Sequence, residues 1–424
     1  MQTQNNKAKL ALVIATLTFA ANFSVWVLYA VLGIELKTQL NLSATEFGLL
    51  LSAPILSGAL LRLPVGILIE KYSAKKAFLV QMVLLIPALL LINSATSLSD
   101  YLWLGLLLGI SGVSFTIGIR YVVDWFSSKY QGTAMGIFGA GNAGAAITLV
   151  LAPFIIENYG SAMLGPMYAA GMIFVILLFA FMAPETPKFL SNRQHFSWQE
   201  HLAPMKELKV WRFGLYYYFV FGSYLALTLW LPQYYVDAYS LTINQAMALT
   251  LLYVASSSLV RAAGGWFADR YGASKVSWTV FWVCLVCLFF LSYPPTTMVI
   301  KGVEKDVNLS IEVNVWLFTC LMFIVGIAQG FGRASIYKVI YNHYPKHMGS
   351  VGGAVAMIGA LGGCTLPLMF GITVDLIGVH TASFMLLYGV LACCMLLMYI
   401  ANQKDQQEQR YQHALENNFL ERDV

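Results

Sequence analysis

Charge is what this chain has least of. Asp, Glu, Lys and Arg make up 11% of its 424 residues, and hydrophobic residues make up 59%. A soluble domain carries roughly 25% charged residues, and no single core of this length could hide so much apolar surface from water. Histidine and cysteine are scarce as well, at six each. Their spacing offers no metal-ligand set, and no nucleophile stands with a base. An enzyme is therefore not expected, nor a cofactor, a metal or a nucleic-acid partner. Cys284 and Cys287 have no second pair or histidine to complete a site, and read as apolar packing.

What fills the chain instead is a series of apolar runs of about twenty residues, enough to cross a ~30 Å hydrocarbon layer as helices. Six are expected at 10–33, 47–69, 77–94, 101–123, 133–156 and 164–183, and six more at 213–236, 245–268, 277–293, 315–340, 350–374 and 381–402. The first follows Lys7 and Lys9 but is too long for the core of a cleavable signal, so it is expected to stay as a span. Lys and Arg divide unequally between alternate loops. Seventeen fall on the side of the N-terminus and three, Lys37, Lys301 and Lys305, on the other. The positive-inside rule then places both termini in the cytoplasm and the spans in the inner (plasma) membrane.

Two stretches repeat one another. Arg62, Gly66, Glu70, Lys71, Tyr72 and Lys76 around the second run are matched 199 positions later by Arg261, Gly265, Asp269, Arg270, Tyr271 and Lys275. Lys129, Gly132 and Gly136 are echoed 217 positions later by Lys346, Gly349 and Gly353. The chain reads as an all-α polytopic membrane protein with twelve transmembrane helices in two pseudo-symmetric six-helix bundles. The bundles are residues 1–183 and 213–402, joined by a cytoplasmic linker at 184–212 and followed by a cytoplasmic tail at 403–424. Glycines open the fifth and eleventh spans at spacings that let helix backbones approach closely in lipid. They serve either packing alone or a seam along which the bundles slide.

Five cations remain inside the spans: Arg62, Arg120, Arg261, Arg333 and Lys338. The acids and histidines all fall in loops, tails or span edges. An intramembrane charge costs at least ~2.5 kcal/mol at a helix centre, so these cations need a partner, and an anionic substrate would supply one. Arg62 and Arg261 are the foremost candidates, one from each half. Arginine suits a small oxyanion because its planar fork of donors stays charged at any physiological pH. Arg120 and Lys338 are secondary candidates near the cytoplasmic edge, where Arg120 could instead pair with Asp124. Arg333 lies deeper and is expected to add positive potential to the cytoplasmic half of a central cavity.

The turns after the second and eighth spans, with Glu70, Asp269 and Arg270, resemble the gating-loop signature of the major facilitator superfamily. That resemblance implies two bundles rocking about a midplane site. The stretch Gly112 to Gly118 with Trp125, Phe126 and Gly136 to Gly144 is similar to the first nitrate signature of the nitrate/nitrite porters. Gly330 to Lys338 with the Gly349–Gly363 tract is similar to the second, and Tyr217 to Ser223 resembles that family's seventh span. The resemblance implies that Arg62 and Arg261 clamp the anion, that Phe115, Tyr217 and Phe221 line the site, and that Asn142 stands beside it. Two residues leave the pattern: Arg120 stands where proline is expected and Arg333 where asparagine is expected. The implied function is secondary active transport of nitrate, nitrite or both by a monomer in the lipid bilayer, with protons or a counter-anion as the coupled species. Another small anion, a carboxylate or phosphate compound, is the alternative, and a substrate-responsive membrane sensor a more distant one.

Overall fold

The computed structural model describes residues 2–126, 128–185, 203–301, 305–344 and 348–420. In a bilayer every backbone polar group must find its partner within the protein, which leaves the helix as the element for apolar runs of this length. Twelve helical segments among the described residues are long and apolar enough to cross. Spans 1 to 6 are Asn6–Gln39, Ala44–Gly66, Ala74–Ser94, Leu98–Val123, Ala134–Tyr159 and Ser161–Met182. Spans 7 to 12 are Leu208–Tyr239, Ile243–Arg261, Ala273–Leu291, Val315–His343, Val351–Ile377 and Ala382–Lys404. The protein is a multi-pass membrane protein.

Three departures from expectation bear on the organisation of the chain. Span 7 begins at Leu208, inside the segment read as linker, because Phe213, Tyr216 and Tyr217 bury one face of its first turns. Residues 186–202 of that linker lie outside the described residues. The helix of span 12 runs on from Ala382 to Leu420, so the tail continues the helix. Between spans 9 and 10 the chain forms a short antiparallel hairpin, Thr296–Ile300 with Val307–Ile311.

Pseudo-symmetry extends to the helix starts. Ser43 caps the helix of span 2 and Thr242 that of span 8, each in a capping box, with Glu46 and Gln245 returning the bond. Both pairs of residues are 199 positions apart. Such a cap is worth about 1 kcal/mol, and it sets where each helix enters the membrane. The halves meet along three helix pairs: spans 2 and 11, spans 5 and 8, and spans 1 and 7.

Four spans depart from the α form within their length. Span 1 breaks between Trp26 and Tyr29, span 4 has a 3-10 turn at Gly109–Val113, and span 5 has one at Ala140–Ala143. Span 7 widens into a π turn at Tyr218–Gly222. Irregular turns of this kind redirect side chains and carbonyls, and π turns often mark functional sites.

Candidate functional site

Arg62 lies in the helix Ala44–Lys71 and is only 4% exposed. Its Nε donates to the Gly112 carbonyl at 3.3 Å, presented by the 3-10 turn of span 4. Its Nη1 crosses to the other half and donates to the Ala356 carbonyl at 3.2 Å. The guanidinium lies over three rings: Trp26 at 5.1 Å, Phe115 at 5.6 Å and Phe221 at 5.8 Å. These faces attract the cation through their quadrupoles and keep water away from it. Trp26 is pinned by its indole N–H to the Pro54 carbonyl at 2.9 Å. Gly112 is required beside it, because a Cβ there would sit 2.6 Å from the indole Cε2.

Arg261 makes the reciprocal reach. Its guanidinium carbon lies 3.2 Å from where a Cβ on Gly139 would stand, so the glycine gives it room. Gly139 and Ala356 are 217 positions apart, the spacing of the glycine-tract echo. Each arginine therefore extends to the equivalent point on the glycine-tract helix of the opposite half. Arg261 keeps a buried Nη1 without a hydrogen-bond partner, and so does the Nδ2 of Asn142, which is 1% exposed in the 3-10 turn after Gly139. An unsatisfied buried donor costs on the order of 1–3 kcal/mol. Among the described residues neither Arg62 nor Arg261 forms an ion pair.

The π turn of span 7 sets Tyr217 and Phe221 in a stack, with ring centroids 5.2 Å apart. Tyr337 meets Tyr217 edge-on at 5.0 Å. Arg62, Phe115, Tyr217, Phe221 and Tyr337 thus form one cluster, and Arg261 and Asn142 lie on spans 8 and 5, across the same seam between the halves. Trp26 and Tyr337 went unnoticed in the sequence. Tyr337 carried a usable signal, since it stands four residues after Arg333 and within the same motif.

Arg120, Lys338 and the loop residues are not brought into this cluster. Arg333, expected to act on the cavity, is fully enclosed at 0% exposure. It lies flat on Tyr224 at 4.0 Å, and its Nη2 donates to the Ser257 carbonyl at 2.6 Å and hydroxyl at 2.7 Å. Its Nε and Nη1 are buried without a hydrogen-bond partner, and Arg261 and Tyr217 both act on it electrostatically. Arg120 pairs with Asp124 at 2.9 Å. Lys338 is drawn to Asp269 at 2.7 Å, an ion pair that ties spans 8 and 10 of the same half. Arg270 stacks over Trp266 at 5.3 Å. The side chain of Glu70 lies outside the described residues.

The two ends of the seam differ. On the face away from the N-terminus, three polar contacts bind the halves together. Lys37 pairs with Asp237 at 2.6 Å. Asp375 accepts from the amides of Ala44 and Thr45 at 3.2 and 2.8 Å. Asn244 donates to Glu157 at 2.9 Å. The last two are pseudo-symmetric, each an acid at the end of a glycine-tract helix meeting the first turn of span 2 or 8. On the other face, among the described residues, a Cβ added at Gly136, Gly265 or Gly353 would meet no atom within 4 Å, and at Gly66 only Thr116 of its own half. Polar contacts between the halves thus close the seam at the first face, and open space stands beside these glycines at the second among the described residues.

A family model described as Major Facilitator Superfamily matches residues 14–367. The chain is 34% identical over 420 residues to a probable nitrate/nitrite antiporter, NarK1, of Thermus thermophilus, covering 96% of this chain and 94% of the relative. It is 28% identical over 393 residues to a nitrite extrusion protein of Bacillus subtilis, covering 93% and 94% respectively. Among solved structures, the nucleoside transporter NupG superposes with a TM-score of 0.69 at 14% identity, covering 92% of this chain and 99% of that one. That likeness speaks to the fold alone.

Proposed function

The chain belongs to the Major Facilitator Superfamily, a family of membrane transporters and not of enzymes, and from that premise we propose that it carries nitrate, nitrite or both across the inner membrane by alternating access. The observation that carries the reading is the pair of arginines, one per half, that reach to equivalent points on the opposite half and form no ion pair among the described residues, with Arg62 lying among aromatic rings. A planar, weakly hydrated monoanion would suit such a pair: the forks supply directional donors and the rings beside Arg62 exclude water, which strengthens the attraction. The relatives named for nitrate and nitrite are covered over nearly their full length, which supports the same substrate class.

Two permanent cations facing one seam repel each other when the seam is empty. A bound anion offsets that repulsion, so closure around the anion is favoured over closure without it. This arrangement suits exchange, in which one anion leaves as another enters, such as nitrite for nitrate. If both termini are cytoplasmic, closure at the Asp375 and Glu157 contacts and the open space beside Gly136 and Gly353 support an inward-facing conformation.

The test is uptake by purified protein in proteoliposomes, comparing nitrate, nitrite, formate and phosphate, with and without a proton gradient and with each anion preloaded. Uptake of nitrate or nitrite that requires an internal counter-anion supports the reading. Uptake of formate or phosphate with none of nitrate or nitrite replaces it with the alternative small-anion substrate.

A further inference from the structure

Tyr337 sits where both arginines can be felt by one hydroxyl. Tyr217, which it meets, stacks on Phe221, one of the rings under Arg62, and both Arg62 and Arg261 act electrostatically on Tyr337. Its ring is half-buried and held edge-on by Tyr217 at 5.0 Å. Its hydroxyl donates to the carbonyl of Gly352 at 3.2 Å. That bond is long for an O–H donor, whose usual distance is ~2.7–2.8 Å. Gly352 lies inside the helix Met348–Ile377, where its carbonyl already serves the helix ladder.

Arg62 is held in the same way. Its Nη1 donates at 3.2 Å to the carbonyl of Ala356, one turn further along the same helix. Two donors facing the seam are thus placed on successive turns of span 11, each through a long bond to an oxygen that does not need it. A charged oxyanion is a stronger acceptor than a neutral carbonyl, and bonds to it are shorter and roughly twice as strong. An anion entering between the arginines would draw both donors off the helix.

We propose that Tyr337 is a further binding residue for the transported anion, its hydroxyl donating a hydrogen bond beside those of Arg62 and Arg261. The proposal rests on the anion-transport reading and deepens it, by giving the site a neutral donor that orients one oxygen of the substrate. Release of the two span 11 carbonyls also couples anion binding to the contact between spans 2 and 11, which joins the halves.

The test is Tyr337→Phe in the full-length protein, which keeps the ring and its contact with Tyr217. Exchange kinetics are measured in proteoliposomes with nitrate and nitrite, and anion binding is titrated by calorimetry on the purified protein, which needs no transport cycle. The expected result is a Kd and KM raised about tenfold, the scale of one hydrogen bond to a charged group. The maximal rate stays within about twofold and the melting temperature does not move. An unchanged Kd and KM, or a fall in rate and melting temperature at constant KM, overturns the assignment and leaves Tyr337 a packing residue. Arg62→Lys is measured alongside. If Arg62→Lys raises Kd and Tyr337→Phe does not, only the tyrosine assignment fails; if neither does, the anion reading fails with it.

Discussion

Asp375 caps the first turn of span 2 from the opposite half of the molecule, its Oδ2 2.8 Å from the Thr45 amide. The same oxygen accepts from the Thr45 hydroxyl at 2.5 Å, and Oδ1 takes the Ala44 amide at 3.2 Å. The first amides of a helix have no partner within it, and their partial positive charge favours an acid. Here that acid comes from a helix that must move away when this face opens.

Asp375→Ala should therefore release the closed face. Loss of a capping acceptor is worth about 1 kcal/mol, enough to raise the open fraction about fivefold. Cys364 offers the readout, since its carbonyl accepts from Ser52 across the same seam and its side chain is buried. In protein whose other cysteines are replaced, a membrane-impermeant maleimide should label Cys364 several times faster in the variant. An unchanged rate would mean that the cap does not hold the face shut.

The parted end makes the complementary prediction. Gly353→Leu places a side chain in open space, so it should leave the melting temperature within a few degrees. It should lower exchange by more than tenfold, because the added bulk obstructs closure of that face. Gly371→Leu should instead destabilise the protein, since its side chain would meet the backbone of Ala44 and Thr45. Melting curves and exchange rates of the two variants check this. Equal effects on both quantities in both variants would contradict it.

Asn142 separates binding from packing. Its Nδ2 is buried with no partner, so Asn142→Ala removes an unsatisfied donor rather than a made bond. The variant should melt no lower than the parent and bind nitrate or nitrite several-fold more weakly by calorimetric titration. A lower melting temperature with unchanged affinity would return Asn142 to a structural role.

The apolar runs made the twelve spans legible, and the 199-residue repeat made Arg62 and Arg261 a pair. Depth within a span could be counted from its charged edge; direction around the helix could not. Arg333 shows the difference: its contacts with Ser257 and Tyr224, which enclose it, could not be read from its place in the span. Lys338 found its partner in Asp269, and Thr45 in Asp375, residues far apart in the chain. No local pattern records such contacts. The π turn at Tyr218–Gly222 likewise left no periodic signal, although it sets the angle of Phe221 toward Arg62.

The central claim is that two guanidinium forks, one from each half, hold the anion. Lysine keeps the charge but loses the planar pair of donors, so Arg62→Lys and Arg261→Lys separate geometry from electrostatics. The decisive measurement is nitrate and nitrite exchange in proteoliposomes by each lysine variant, with insertion and melting temperature matched to the parent. Each variant is predicted to retain less than about a tenth of the parent's kcat/KM, the loss of one charged hydrogen bond or more. Exchange at the parent's rate and KM by either variant would contradict the clamp.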